Sequence, residues 1–255
     1  MTNDMIQAEK MRAFAKLHIP GSPLILFNIW DVGSAQAVVS AGARAIATGS
    51  ASVAEANGFE DGEQTPIDLA LANARRIIAA VDLPVTVDFE GAYSADPDKG
   101  AGNILRLREL GAVGCNFEDQ IVGGEGLHPI TLQAKRIAVA REAVGPDFFI
   151  NARTDIFLKA PIEQHSEAMV DEALERAQAY ADSGASGFFV PLLADLKMLG
   201  RLCAQSPLPV NFMAFPGCPS KEEVAAAGVA RISHGPFPHR ALMAQLEEAA
   251  KMAIG

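Results

Sequence analysis

The sequence has few cysteines, few large aromatic residues and no long apolar run. Its 255 residues include three Cys, two Tyr and one Trp. Cys115, Cys203 and Cys218 are widely spaced and odd in number. Their pattern argues against a disulfide framework or a zinc site and favours a reducing cytoplasm. Because no stretch of about 20 apolar residues is present, no membrane span is predicted.

The sequence also has a deficit of basic residues. Lys and Arg number 21 against 31 Asp and Glu, which gives a formal net charge of −10. An acidic chain repels nucleic acid and anionic lipid, so neither is a predicted partner. Hydrophobic residues make up 49% of the chain and charged residues 20%, which is typical of a globular protein with a sizeable core. Charges scattered through the first twenty residues predict an amphipathic helix there rather than a signal peptide.

Short β-rich runs alternate with longer helical ones along the whole chain. Apolar residues recur with helical periodicity over Ile67–Val81 and Ala168–Ala181. The alternation predicts a parallel sheet, and eight strand–helix units predict closure into one (β/α)8 TIM barrel over residues 1–255, with the first helix covering its base. An open doubly wound sheet is the alternative, but the Gly-rich turn typical of that fold is missing from 31–35. The candidate strands are Leu24–Trp30, Ala45–Ser50, Val85–Glu90, Gly114–Asp119, Phe148–Asp155, Gly187–Leu192, Pro209–Ala214 and Arg231–Gly235.

Carboxylates gather at the ends of the third and fourth candidate strands. Asp88 and Glu90 are two residues apart, which places them on one strand face, and Glu118 ends the next strand. Active sites of such barrels lie at the carboxyl ends of the strands. Three clustered carboxylates need a counter-charge, and Mg2+ or Mn2+ is the usual one for oxygen ligands. The alternative is that each carboxylate caps a helix or pairs with Arg or Lys.

Further polar or small residues end the other strands. Arg153 is a natural clamp for a carboxylate or phosphonate, although an ion pair with Asp155 or Glu118 is an equal alternative. The small residues at the end of the second strand allow backbone N–H groups to approach a ligand oxygen, but small residues also mark ordinary turns. The candidate substrate contacts at strand ends are Trp30, Ser50, Ala51, Ser52, Arg153 and Asn211.

The ordered set of these motifs resembles the phosphoenolpyruvate mutase/isocitrate lyase superfamily. The resemblance spans nearly the whole chain. The matching segments are Asn28-Ile29-Trp30-Asp31, Gly33-Ser34-Ala35, Thr48-Gly49-Ser50, Gly58-Phe59-Glu60-Asp61-Gly62, Val87-Asp88-Phe89-Glu90-Gly91-Ala92-Tyr93, Gly114-Cys115-Asn116-Phe117-Glu118-Asp119, Asn151-Ala152-Arg153-Thr154-Asp155 and Gly228-Val229-Ala230-Arg231-Ile232-Ser233.

The resemblance implies a barrel whose last helix is often swapped between subunits of a homodimer or homotetramer. It implies Mg2+ held by Asp88, with Glu90, Glu118 and Asp61 acting largely through water. It also implies a 2-oxo acid that chelates the metal, with its carboxylate against the backbone at 50–51 and Arg153 at its other end. The common chemistry is cleavage or formation of a C–C or P–C bond next to a pyruvate enolate.

The loop at 120–129 departs from the family pattern. It lacks the Lys-Lys-Cys-Gly-His stretch of the lyase branch and the Lys- and Asn-containing version of the phosphonate branch. Its three glycines predict lid hinges. Glu125 or His128 is a candidate proton source, and the alternative is that both are exposed loop residues. Cys218 and His234 are further candidates near the mouth, with inert packing and a backbone-carbonyl contact as their alternatives.

The sequence leaves several functions open. The leading hypothesis is a Mg2+-dependent lyase that cleaves or decarboxylates a small, oxaloacetate-like 2-oxo acid, with Ser50, Glu118, Arg153 and His128 as catalytic candidates. The alternatives are a P–C bond enzyme (phosphonopyruvate hydrolase or phosphoenolpyruvate mutase) and a non-catalytic barrel that binds oxo acids. A Schiff-base aldolase is set aside because no candidate strand carries an inward-facing Lys.

Overall fold

The structure, a computed structural model, describes residues 3–255. Eight parallel strands form a sheet in the order β1-β8-β7-β6-β5-β4-β3-β2. A parallel bridge between Ile29 and Thr48 joins the two end strands, so the sheet closes into a (β/α)8 barrel as predicted. The strands are β1 Leu24–Leu26, β2 Ile46–Ala47, β3 Val85–Asp88, β4 Gly114–Glu118, β5 Phe149–Arg153, β6 Gly187–Phe189, β7 Val210–Met213 and β8 Arg231–Ser233.

Helices follow the strands and pack around the barrel. Two of the predicted helices, Ile67–Val81 and Ala168–Ala181, correspond to α4 and α7 within one residue at each end. The interpretation of residues 1–255 as one domain stays a prediction. The helices are α1 Asn3–Ala15, α2 Val32–Ser40, α3 Ser50–Ala56, α4 Ile67–Ala80, α5 Pro97–Glu109, α6 Ile130–Val144, α7 Glu167–Asp182, α8 Leu196–Gln205, α9 Lys221–Ala226 and α10 Phe237–Ile254, with a 3-10 turn at Ile162–Gln164.

The predicted strands were too long at their carboxyl ends. Ser50 opens α3 instead of ending β2, and Glu90 lies beyond β3 with a φ of 51°, which breaks the strand alternation. The prediction that Asp88 and Glu90 share one strand face is therefore wrong. The physical reason is that residues after the last ladder hydrogen bond turn away to start the next loop or helix.

Helix α1 covers the base of the barrel, as predicted. Met11 and Phe14 are buried, and the Phe14 ring packs edge-on against Phe149 at the start of β5. His18 stacks on the same Phe149 ring at a centroid distance of 4.1 Å. The Gln7 amide donates to the Arg108 carbonyl at the end of α5 and to the Ala112 carbonyl on the loop that leads into β4. These contacts seal the amino-terminal ends of the strands.

Helix α10 is poorly covered by the rest of the chain. Its buried residues are Pro238 and His239, both in the first turn. Leu242 and Leu246 are 48% and 58% exposed. Ile25 of β1 and Phe27, which follows the strand, are 37% and 47% exposed. An apolar helix face and an apolar strand face thus both lack a partner within the described residues. None of the described helices combines the length and apolarity needed to cross a membrane.

The interior of the barrel below the mouth is polar. Asn151 donates to the side-chain oxygens of Asn116 and Asn211 at 2.8 and 3.0 Å. The fully buried Arg231 donates to Asn116 and to Ser233, each at 3.2 Å, and Ser233 donates to Asn211. Burial lowers the pKa of Arg231 to about 9. These five side chains, which come from β4, β5, β7 and β8, form one hydrogen-bonded layer.

Candidate active site

A cavity of about 220 Å3 opens at the carboxyl ends of the strands. Strands β3 to β8, and the segments that follow β1, β2, β5, β6 and β8, contribute to its wall. Its lining residues are Asn28, Gly49, Ser50, Ala51, Asp61, Asp88, Asn116, Arg153, Leu158, Phe189, Pro191, Leu192, Met213, Ser233, Gly235, Pro236, Phe237 and Arg240.

Asp88, the last residue of β3, lies at the centre of a hydrogen-bond network. One carboxylate oxygen accepts from the Ser50 backbone N–H and hydroxyl, both at 3.2 Å. The other accepts from the Asn116 amide at 3.2 Å. The Asp88 backbone N–H donates to Thr48 Oγ1 at 2.9 Å. The segment that follows β2, together with β3 and β4, thus holds this carboxylate in one orientation.

Two further carboxyl groups, those of Glu90 and Asp61, lie close enough to Asp88 to repel it when they are ionised. Burial raises the pKa of Glu90 to about 8, and repulsion from Asp61 and Asp88 adds to the effect. Asp61 lies exposed at the mouth, but partial desolvation and the charge of Asp88 still raise the pKa of its carboxyl. Glu90 accepts a 2.6 Å hydrogen bond from the Glu63 backbone N–H, which fixes its side chain. The group as a whole has an excess of negative charge.

Glu118 and Arg153 form an ion pair at the ends of β4 and β5. The guanidinium Nη1 lies 3.0 Å from Glu118 Oε2, and the Nε lies 2.6 Å from Asp155 Oδ1. Burial raises the pKa of Glu118. Burial alone would lower the pKa of Arg153, but the fields of Asp155, Glu118 and Asp88 raise it. The predicted ion pair is therefore present, and Arg153 also lines the cavity with two N–H bonds left over.

The carboxylates fit a metal held mainly through water. Within residues 3–255, no three His, Cys, Asp or Glu side chains converge closely enough to coordinate one ion directly. Asp88 lines the cavity with Asp61, and Glu90 interacts with both by charge repulsion. A hard cation that keeps several waters, such as Mg2+, relieves such repulsion through one or two direct carboxylate bonds. The residues present thus suit the ion, whose binding stays a proposal.

The other predicted substrate contacts divide into two groups. Ser50 and Ala51 line the cavity, whereas Trp30, Ser52 and Asn211 do not. The Trp30 ring packs edge-on against His239 of α10, and Ser52, in the first turn of α3, is fully buried. The Asn211 amide donates to two backbone carbonyls in the barrel interior. Substrate binding by these three residues stays a prediction for which the cavity offers no contact.

The 120–129 loop is a compact turn. A bridge joins Gln120 to Leu127, and the Ile121 N–H donates to the Gly126 carbonyl. Gly123 and Gly126 have φ values of 70° and 78°, a region that favours glycine. His128 is buried outside the cavity lining, contrary to the exposed alternative, whereas Glu125 is exposed. Burial lowers the pKa of His128.

Two further candidates have local roles. The Cys218 thiol lies 3.4 Å from both the Phe215 nitrogen and the Pro219 oxygen, within its own turn. His234 Nδ1 contacts the Leu26 carbonyl at 3.2 Å, which is the backbone contact foreseen as its alternative role. Neither residue lines the cavity.

Sequence reasoning missed two groups of cavity residues. Asn28 follows β1 and accepts from the backbone N–H groups of His234 and Gly235, so it ties β1 to β8. Its place in a polar strand end was a usable signal. The apolar residues that line the cavity, such as Leu158 and Leu192, carry no such signal because they resemble ordinary core residues in the sequence.

Comparison with known proteins agrees with this geometry. The family model described as phosphoenolpyruvate phosphomutase matches residues 14–254. A Mycobacterium tuberculosis protein of uncharacterised function is 36% identical over 231 residues, which cover 90% of this chain and 84% of the relative. The 2-methylisocitrate lyase of Salmonella typhimurium is 28% identical over 84% of this chain and 78% of its own length.

Solved structures show the same fold. A Burkholderia cenocepacia protein with the provisional name phosphonomutase has a TM-score of 0.94 and 48% identity, over 97% of this chain and 99% of that protein. With the family match over residues 14–254, these likenesses lead to one conclusion. The chain belongs to the phosphoenolpyruvate mutase/isocitrate lyase superfamily of enzymes.

Proposed function

We propose that the protein is a Mg2+-dependent lyase that breaks a C–C bond in a small 2-oxo acid, by decarboxylation or retro-aldol cleavage. The observation that carries the proposal is the position of Asp88. It lies at the strand ends within a cavity of about 220 Å3, held by Ser50 and Asn116 and surrounded by further carboxylates. Lyases such as the Salmonella typhimurium 2-methylisocitrate lyase are among the relatives.

Asp88 would hold the ion directly, and Glu90, Glu118 and Asp61 would act through its water ligands. When bound, Mg2+ supplies positive charge that stabilises an enolate oxygen. Burial is the main cause of the raised pKa values of Glu90 and Asp61, and repulsion among the carboxylates adds to it. That repulsion supports this set, because a cation relieves it.

The chain's own groups orient the substrate. The first turn of α3 faces the cavity, and its Ala51 N–H would donate to a substrate carboxylate, whereas the Ser50 N–H already donates to Asp88. Arg153 has two unused N–H bonds and is held rigidly by Asp155 and Glu118. When the C3–C4 bond of the oxo acid breaks, its electron pair delocalises over C3 and the C2 oxo oxygen as the enolate. The C4 fragment leaves as CO2 or, after loss of its hydroxyl proton, as a carbonyl compound, and a proton then adds to C3.

The proposal is tested by incubating the purified protein with oxaloacetate and Mg2+ and measuring pyruvate. We expect turnover that EDTA abolishes and that Asp88→Asn lacks. Glu248→Gln, on the exposed side of α10, is a matched control that we expect to retain turnover. No turnover of any 2-oxo acid, with tight oxalate binding, would instead favour a non-catalytic oxo-acid-binding barrel.

P–C bond chemistry is the second candidate, and the name of the 48% identical Burkholderia cenocepacia protein favours it. The 31P spectrum of phosphonopyruvate, recorded with enzyme and Mg2+, decides this question. A new phosphate or phosphoenolpyruvate signal at a rate above that of C–C cleavage would replace the leading proposal.

We also propose that the protein is a homo-oligomer in which α10 packs on a second copy. The exposed apolar residues Leu242 and Leu246 and the exposed outer face of β1 support this pairing. Sedimentation should show a dimer or tetramer, and Leu246→Asp should shift it towards monomer. A monomeric wild-type protein would contradict this arrangement.

A further inference from the structure

The mouth of the cavity has two chemically different halves. The barrel order places β1 to β5 on one side and β6 to β8 on the other. The first half contributes polar groups to the lining, among them Ser50, Asp88 and Arg153. The second half and its flanking segments contribute mainly apolar groups: Leu158, Phe189, Pro191, Leu192, Met213, Pro236 and Phe237. We call this second set the apolar wall.

Arg240 is the charged residue in this half of the lining, and it is paired with Glu55. Arg240 lines the cavity beside the apolar wall, and its Nη2 lies 2.6 Å from Glu55 Oε1. Its Nε donates to the same oxygen at 3.0 Å. A carboxylate or phosphonate placed against the apolar side chains of the wall would lose water without gaining a hydrogen bond from them, which is unfavourable.

Leu192 is held in the wall at a conformational cost. Its φ is 67°, in the left-handed region that a Leu rarely adopts. Such strain persists where the surrounding structure imposes it, and it concentrates at ligand-binding positions. Asn or Gly would relieve the strain, but neither would give the cavity a branched apolar side chain. The strained Leu therefore points to a use for its apolar surface.

We infer that the substrate carries an alkyl group on the carbon next to its oxo group, and that the apolar wall binds this group. The inference rests on the proposed function, since the polar half must take the 2-oxo carboxylate end. That end lies near Asp88 and Ser50, so the rest of a small molecule extends across the same cavity to the wall. The substrate class is a 2-oxo acid that carries on C3 both an alkyl group and the carboxylate or carbinol carbon that is cleaved, rather than unsubstituted oxaloacetate.

Calorimetric titration with Mg2+ tests this inference. The ligands are oxalate, pyruvate, 2-oxobutanoate and 2-oxopentanoate, of which the three oxo acids share one chelating end and differ in chain length. We expect the affinity to rise about three- to fourfold for each added methylene. Leu192→Asn and Met213→Gln should each flatten this rise, with oxalate affinity changed less than twofold. Leu196→Asn, on an exposed Leu outside the lining, is the matched control and should keep the rise.

The outcomes separate the inference from the proposed function. If oxalate binds but affinity stays constant or falls along the series, the inference is overturned and the proposed function stands. An unchanged rise in both Leu192→Asn and Met213→Gln would also overturn it. If neither oxalate nor any oxo acid binds with Mg2+, the proposed function itself fails and the inference fails with it.

Discussion

At the base of the barrel, buried aromatic side chains of α1 and β5 pack against each other. At the mouth, the buried groups are carboxylates with raised pKa values, and Glu90, Ala92, Tyr93 and Leu192 adopt positive φ angles. The apolar contacts at the base stabilise the folded state, whereas charge repulsion and backbone strain at the mouth destabilise it. The difference teaches that this chain separates what keeps it folded from what binds a ligand, and substitutions should respect that division.

The largest expected effect is on activity, from Asp88→Asn at the mouth. Turnover should fall by at least about a thousandfold, because metal charge stabilisation contributes several kcal/mol to such reactions. The melting temperature without metal should stay equal or rise, since one repelling charge is removed, and added Mg2+ should no longer raise it. Steady-state kinetics and thermal melts in EDTA and Mg2+ measure both. A variant that melts much lower without metal would show that Asp88 is a structural residue.

Phe14→Ala at the base should have the opposite profile. Removal of a fully buried ring should lower the free energy of unfolding by about 3 kcal/mol. The kcat/KM of the folded fraction should stay within twofold, because α1 lies at the far end of the strands. Urea denaturation with assays at low urea checks this pair of results. A changed KM with unchanged stability would contradict the claim that the base serves stability and the mouth serves ligand binding.

The pH dependence of stability sharpens the comparison at the base. Burial and the charge of Arg231 lower the pKa of His18 to about 3, well below its usual value. The unfolded chain therefore binds the proton more readily, so stability should be lost as pH falls from about 6.5 towards 3, by at most about 1.4 kcal/mol per pH unit. Melting temperatures of wild type and His18→Phe, compared from pH 8 to 4, isolate this contribution. Equal slopes in the two proteins would contradict it.

The smallest effect is expected from Leu192→Asn on stability. Asn tolerates the left-handed region, so relief of strain of about 1 kcal/mol should offset the loss of a half-buried apolar side chain. Chemical denaturation should show a change within about 1 kcal/mol of wild type. A loss of more than about 2 kcal/mol would mean that Leu192 belongs to the stabilising core rather than to the binding surface.

Much of this architecture was predictable from the residues. The alternation of strands and helices gave the barrel, and Ser50, Ala51, Asp61, Asp88 and Arg153 were predicted residues that line the cavity. Short polar motifs at strand ends are readable because the carboxyl ends of parallel strands meet.

Three features were not predictable, for physical reasons. The third strand was predicted to end at Glu90, but it ends at Asp88 and Glu90 adopts a positive φ. The residue types at 88–90 give no sign of this turn. The burial of His128 depends on contacts of its backbone with Asp119 and Arg176, which are distant in sequence. Leu192 in the cavity and Leu199 in the core are the same residue type, so only the fold distinguishes them.

The polar layer inside the barrel constrains how this protein can diverge. Asn116 accepts from both Asn151 and Arg231, so a single replacement strands several buried donors and acceptors at once. An aliphatic residue in any one of the five positions removes at least one of these buried hydrogen bonds. Neutral drift through single steps is therefore blocked, and we expect these five positions to change together or not at all among descendants. Asn116 of this layer also donates to Asp88. Substitutions in the layer would therefore disturb the active site, which limits how the site can evolve towards another reaction.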